Sequence, residues 1–290
     1  MTTTSTQLNL IIGNPIAHSQ SPSIHSQLYS KFNLDSKFVF LASNIKSTEL
    51  GQLMQSIKVL PINSLSVAIP HKVEIIEYLD DVDSIAMQIG AVNTVVTIGK
   101  ILKGYNTDWL GVLMPLAIEM GIKIDPKLTN LPKIPKFLKE HTVAIIGSGG
   151  VARAAAYAVL CSGADVLIFN KTVDKAERLA QDMLEIFPNQ NIHFFGHKYI
   201  GKTNYADIII NCTSTGLDIE EKVEGIEFRS EQLLFDLVYK PKYTELVKQA
   251  QDKGCRIILG EEMFLWQTLY QFQLQTGIKI DIQDVRGILG

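Results

Sequence analysis

Residues 142–160 read TVAIIGSGGVARAAAYAVL, and this run constrains the fold more than any other stretch of the chain. A short apolar strand ends at Ile146, three glycines and a serine turn the chain, and an alanine-rich helix starts near Val151. Gly147 permits a sharp turn, and Gly149 lets backbone N–H groups approach a pyrophosphate at the positive end of the helix. Ser148 and Gly150 complete the turn, and Ala152 stands where only a small residue lets helix and strand pack closely. A G-x-G-x-x-A spacing alone is weak, but a strand before it and a helix after it make it a dinucleotide-binding turn. A ligand-free turn would gain nothing from three glycines and would bear their conformational entropy.

The following strand points to the nucleotide. VLIF (166–169) runs into Asn170, Lys171 and Thr172, with Lys175 one turn on. An NAD site places a carboxylate there to accept from the ribose hydroxyls, whereas a cationic pocket suits a 2′-phosphate. NADP is therefore the expected cofactor. Lysines at such a place are otherwise ordinary solvated surface groups.

Around this turn, short β-rich runs alternate with helical patterns, which predicts an α/β protein with mostly parallel sheets and crossover helices. Strands are expected at 8–12, 37–41, 65–69 and 92–98, then at 142–146, 166–169, 208–211, 233–237 and 256–259. Residues 125–140, with three prolines and four lysines, read as a loop. A last helix over 261–276 stops at Gly277. At 290 residues the chain suits two domains flanking a cleft. The first, 1–107 completed by 261–290, is the expected substrate-binding domain, and 108–260 the Rossmann-type NADP-binding domain.

Charge and cysteine usage narrow the partners. A formal net charge of −3 gives no reason to expect a nucleic acid or an anionic membrane surface. No apolar stretch approaches the ~20 residues of a membrane span. Cys161, Cys212 and Cys255 lack metal-site or disulfide spacing and suit a reduced, cytoplasmic setting. His18, His25 and His71 form no metal-ligand pattern, so no metal site is expected. The expected partner is a small-molecule substrate, with the chain a monomer or homodimer.

The runs GNPIAHSQSPSIHS (13–26), SVAIPHK (66–72), IGAVNTV (89–95), GYNTDWLG (104–111), NCTSTGL (211–217), DLVYKP (236–241) and GEEMFLWQ (260–267) follow one another in an order that resembles the shikimate dehydrogenases, the family of shikimate and quinate dehydrogenases. IPHK and EMF resemble the wording of its plant-type members. The resemblance spans nearly the whole chain and implies reversible NADP-dependent reduction of 3-dehydroshikimate to shikimate, a step of chorismate and aromatic amino acid biosynthesis.

What the resemblance implies residue by residue goes beyond the residues themselves. Ser21 before Pro22 suits a helix N-cap, and for an isolated Ser-Pro that role would suffice. By resemblance, Ser19 and Ser21 hold the substrate carboxylate. Lys72 and Asp108 match the family's catalytic lysine and aspartate; hydride reduction of a ketone leaves an alkoxide that a nearby cation or acid must protonate. Ser66, Asn93, Tyr239 and Gln267 are implied to line the substrate, although an asparagine at a strand end can hold its own backbone and a helical glutamine can simply face solvent. Thr213, Ser214, Gly260 and Met263 are implied on the cofactor side. Three residues depart from the usual family pattern: Ser66 stands where many bacterial members have asparagine, although the plant-type wording has serine; Ala68 replaces a usual threonine that contacts substrate; and Lys171 replaces a usual arginine, keeping charge but losing bidentate phosphate recognition. A quinate or related cyclic-polyol dehydrogenase therefore stays an alternative, and a non-catalytic NADP-binding regulator a more distant one.

Overall fold

The computed structural model describes residues 4–17, 19–130, 135–213 and 223–289. The chain divides into two compact units: Met1–Thr107 with Asp125–Asn130 and Gln267–Gly290, and Asp108–Ile124 with Leu131–Trp266.

The first unit is built on a mixed six-stranded sheet. Its strands are β1 (Gln7–Gly13), β2 (Phe38–Asn44), β3 (Ile62–Val67), β4 (Asp81–Val82), β5 (Thr94–Ile98) and β6 (Ile101–Tyr105), in the spatial order β2-β1-β3-β5-β6-β4. β1 pairs in parallel with β2 and β3, as expected of crossover connections through α1 (Ser21–Lys31) and α2 (Ser47–Ile57). β5 and β6 instead form an antiparallel hairpin, and β5 runs antiparallel to β3. The run 92–98 thus supplies only β5, and a further strand follows at once, because Gly99 takes a left-handed φ of 62° and turns the chain within two residues. A short helix, α3 (Ser84–Ile89), begins under an Asp83 cap whose carboxylate accepts from the Ile85 N–H at 3.0 Å. Leu10, Ile12, Leu65, Val67, Val92 and Val95 pack with Leu50 and Met54 into one apolar core.

The second unit follows the doubly wound plan. After α4 (Asp108–Glu119) come β7 (Thr142–Ile146), α5 (Gly150–Cys161), β8 (Asp165–Asn170), α6 (Val173–Ile186), β9 (Ile192–Gly196), β10 (Ile208–Asn211), β11 (Leu233–Asp236), α7 (Glu245–Asp252) and β12 (Arg256–Leu259). All these strands pair in parallel, in the order β12-β11-β10-β7-β8-β9. Counted from β7, the order places the topological switch between β7 and β10, where such sheets take ligands at the strand ends.

α8 (Gly260–Thr276) belongs to the second unit as far as Trp266 and to the first from Gln267 onward, so the return expected at residue 261 falls within a helix. Gly277 ends it with a φ of 73°. The last helix, α9 (Ile282–Leu289), packs with the first unit. Residues 125–130 join that unit because the Ile282 N–H donates to the Pro126 carbonyl at 2.9 Å and Gln273 Nε2 to the Lys127 carbonyl at 2.7 Å. No helix among the described residues is long and apolar enough to cross a membrane.

Candidate active site

The expected phosphate-binding turn lies at the switch point of the second unit. Gly147 has a φ of 114°, and a Cβ there would stand 3.3 Å from the backbone carbon and oxygen of Cys212, just past β10. Glycine is required on both counts. A Cβ on Gly149 would point into open space, and no side chain caps the start of α5. The first N–H groups of that helix, from Gly150, Val151 and Ala152, therefore face an open cradle shaped for an anion. Ala152 is fully buried, which permits the close helix–strand packing anticipated for it, while Ser148 is half-buried on the turn.

Past β8, Asn170 Nδ2 donates to the Thr172 carbonyl at 2.8 Å and shapes the loop into α6. Thr172 occupies the N-cap position there but makes no side-chain cap, and Lys171 and Lys175 are exposed. Two ammonium groups beside an uncapped helix start suit a phosphate. The donor set thus fits a dinucleotide carrying a 2′-phosphate.

Thr213 is held by its N–H and its hydroxyl, both donating to Asn211 Oδ1, at 3.1 and 2.7 Å. The Asn211 amide nitrogen in turn donates to the Asp236 carboxylate at 2.9 Å. Asp236 is buried, which pushes its carboxyl above the usual carboxylate range against the Thr244 hydroxyl, the Val238 N–H and Asn211, all donating to it. This hub fixes the loop that carries Tyr239, whose ring stacks on Phe264 with centroids 4.9 Å apart. Gly260 is obligatory, since a Cβ there would come within 2.6 Å of the Val238 carbonyl; Met263 lies one turn further, buried. Ser214 falls outside the described residues. Asp108, buried, opens α4. Burial, together with the carboxylates of Asp236 and Asp108, pushes the Cys212 thiol far up, so it is no nucleophile.

In the first unit the predicted residues gather at the ends of β1, β3 and β5. The Val67 N–H donates to the Asn93 carbonyl at 2.7 Å, and the Val92 N–H to the Lys72 carbonyl at 2.7 Å, so Ser66, Lys72 and Asn93 are neighbours. His71, fixed by a 2.7 Å contact from Nε2 to the Ile45 carbonyl, anchors the turn that presents Lys72. Asn93 Oδ1 accepts from the Thr107 N–H and the Thr94 hydroxyl, both at 2.8 Å, and Asn93 Nδ2 donates to the Thr107 hydroxyl at 2.8 Å. Its oxygen thus already accepts two hydrogen bonds, and its nitrogen is its donor. Gly13 lies against Ala68: a Cβ on it would meet the Ala68 Cβ at 2.9 Å.

Two expectations change here. The N-cap of α1 is Gln20, not Ser21; the first helical bond runs from the Ile24 N–H to the Gln20 carbonyl, which puts Ser21 in the first turn. Its N–H donates to Ser19 Oγ at 3.3 Å, so the two serines are still brought together. The solvent-facing alternative for Gln267 also fails. Gln267, Gln271 and Gln275 are all buried, a polar stripe at four-residue spacing along α8. Gln271 Nε2 donates to the Thr94 hydroxyl at 2.8 Å and the Asn93 carbonyl at 3.3 Å. Thr107, Asp236, Gln271 and Gln275 went unassigned in the sequence; the four-residue glutamine spacing was the one signal for the last two.

Residues 11–95 match the model of the shikimate dehydrogenase substrate binding domain, and residues 131–252 that of shikimate / quinate 5-dehydrogenase. A shikimate dehydrogenase (NADP(+)) of Carboxydothermus hydrogenoformans is 32% identical over 98% of this chain and 97% of its own length. One from Alkaliphilus oremlandii is 35% identical, covering 99% and 97%. A crystal structure of a shikimate dehydrogenase in complex with NADP+ superposes with a TM-score of 0.85 at 30% identity, over 100% of this chain and 96% of that one. By sequence along its whole length and by fold, the chain belongs to the shikimate dehydrogenase family.

Proposed function

We propose that the protein catalyses the NADP-dependent interconversion of 3-dehydroshikimate and shikimate. The observation that carries this reading is the full-length likeness to NADP(+) shikimate dehydrogenases, in a chain that keeps Lys72 and Asp108. NADP, when bound, supplies or accepts the hydride. The amides at the start of α5 take its pyrophosphate, and Lys171 and Lys175 its 2′-phosphate. Ser19 and Ser21 hold the substrate carboxylate, and Ser66, Asn93, Tyr239 and Gln267 orient the polyol ring. In the reducing direction the substrate oxygen gains a proton as its carbon gains hydride. The Lys72 ammonium stabilises the developing charge and delivers that proton, with Asp108 as its carboxylate partner. The widely separated thiols suit a cytoplasmic enzyme.

Ala68 favours one second reading. Without the hydroxyl usual at that position, the site loses a hydrogen bond of about 1 kcal/mol to a shikimate-type ring, which narrows its preference over quinate. Steady-state turnover of shikimate and quinate with NADP and NAD tests both readings; negligible shikimate turnover removes the first. Lys72→Ala lowers kcat by about 10²- to 10⁴-fold while NADP still binds. A near-normal kcat in that variant would overturn the proton-transfer role.

A further inference from the structure

We propose that His25 and Gln275 form a buried relay that fixes the Ser66 hydroxyl as a hydrogen-bond acceptor toward the substrate, with Gln275 a positioning residue for the polyol. The inference rests on the reading above that Ser66 faces the substrate ring.

His25 is fully buried in α1, stacked on Phe40 with ring centroids 4.2 Å apart. Its Nδ1 lies 3.0 Å from the Ser21 carbonyl oxygen. A carbonyl only accepts, so Nδ1 carries the ring hydrogen. Burial lowers the pKa of this imidazole to about 4, so at neutral pH the ring has a single proton and Nε2 is a bare acceptor.

Gln275 is the polar side chain beside that ring. As placed, its Nε2 donates to Ser66 Oγ at 3.1 Å, and its backbone carbonyl accepts from Asn63 Nδ2 at 2.8 Å. Among the described residues neither His25 Nε2 nor Gln275 Oε1 has a hydrogen-bond partner. Two orphaned acceptors in one buried pocket are an arrangement that folded proteins avoid. Turning the Gln275 carboxamide by half a turn exchanges its nitrogen and oxygen, which have nearly the same shape. The amide then donates to His25 Nε2, and Oε1 accepts from the Ser66 O–H. Neither acceptor is then left facing another acceptor.

The consequence falls on Ser66. Its one hydroxyl proton points inward to Gln275, so toward a ligand the oxygen can only accept. Asn93, just before the neighbouring strand, has the opposite polarity, since its carboxamide oxygen accepts from Thr94 and Thr107 and only its nitrogen donates. A substrate hydroxyl, donor and acceptor at once, satisfies both; a ketone or ether oxygen leaves Ser66 without a proton to accept. The relay thereby selects a ring that carries a free hydroxyl at this position.

The test couples a spectroscopic readout to kinetics on the full chain. Long-range ¹H–¹⁵N spectra of the histidine rings should show His25 protonated at Nδ1, with an Nε2 resonance that moves further toward the bare-lone-pair value in Gln275→Leu. In the same variant KM for shikimate should rise about tenfold, with kcat and KM for NADP within about twofold of wild type. In a Ser66→Ala background Gln275→Leu should add no further increase, because both act through one hydroxyl. Melting curves and NADP binding verify that the variants fold. A His25 ring protonated at Nε2, or KM effects that add independently, would overturn the relay. If the wild-type protein turned over no shikimate, the functional reading would fall instead, and the histidine tautomer would still decide the relay.

Discussion

Mild acid should destabilise the first unit through a single buried imidazole. His25 packs against Tyr29, Phe40, Phe272 and Gln275, with no carboxylate against it among the described residues, and the Tyr29 phenol is itself held neutral as burial pushes its pKa up. Burial brings the histidine from its ordinary 6.5 down to about 4. The folded pKa lies below the unfolded one, so the unfolded chain takes up the proton first. The stability is therefore complete above about pH 6.5 and drains away as pH falls toward 4. At about 1.4 kcal/mol for each pH unit in that window, roughly 2 kcal/mol is lost between pH 7 and pH 5, and roughly 3 kcal/mol by pH 4. Urea unfolding at pH 7 and pH 5, followed by a probe in the first unit, measures this directly in the wild type and in His25→Phe. Phenylalanine keeps the stack on Phe40 and removes the titration. Surface carboxylates whose pKa values are lowered, such as Asp80 and Asp125, also lose stabilisation in acid, but equally in both proteins, so the difference between the two pH dependences belongs to His25. Parallel losses in wild type and variant would show that the imidazole is already protonated in the folded state or solvated within it, and the reasoning would fail.

Gly260→Ala should lower urea stability by about 2 kcal/mol or more, because the new Cβ must displace the Val238 backbone rather than a flexible side chain; an unchanged midpoint would contradict the close approach. Replacing Lys171 and Lys175 together with alanine should raise KM for NADP about tenfold or more and leave KM for NAD nearly unchanged, as expected for charge-assisted contacts to a 2′-phosphate. An equal rise for both cofactors would place these lysines elsewhere on the nucleotide.

The nucleotide-binding half was the more legible because its signals are local. A strand, three glycines and a small-residue helix lie within twenty or so positions, and each has one steric reason to be there. β9 escaped detection because IHFFG exposes His193 and Phe194 and so lacks the unbroken apolar run of its neighbours, although Pro188 marks the end of the helix before it. β6 escaped because ILKGY mixes lysine and glycine into a short run; its glycine is required by close packing, since a Cβ on Gly104 would meet Leu79 at 2.5 Å. Gln271 and Gln275 went unread for a different reason. A helix enclosed on all sides has no apolar face to contrast with a polar one, so its period says nothing about which polar residues point inward.

The same contrast explains why substrate choice is harder to read than cofactor choice. A dinucleotide is held mainly by backbone N–H groups, and glycines mark where the backbone is needed. A polyol is recognised by side chains that can each donate or accept, and their polarity is set one layer further in. The oxygen of Asn93 is occupied by Thr94 and Thr107; in the proposed relay Ser66 takes its polarity from Gln275, and Gln275 from the tautomer of His25. Ala68 sits beside these groups with no hydroxyl of its own, its Cβ packed against Gly13 so closely that a Cβ on that glycine would meet it at 2.9 Å. On the proposed function, discrimination among ring hydroxyls in this chain therefore falls on Ser66 and Asn93 and on the buried amides that orient them.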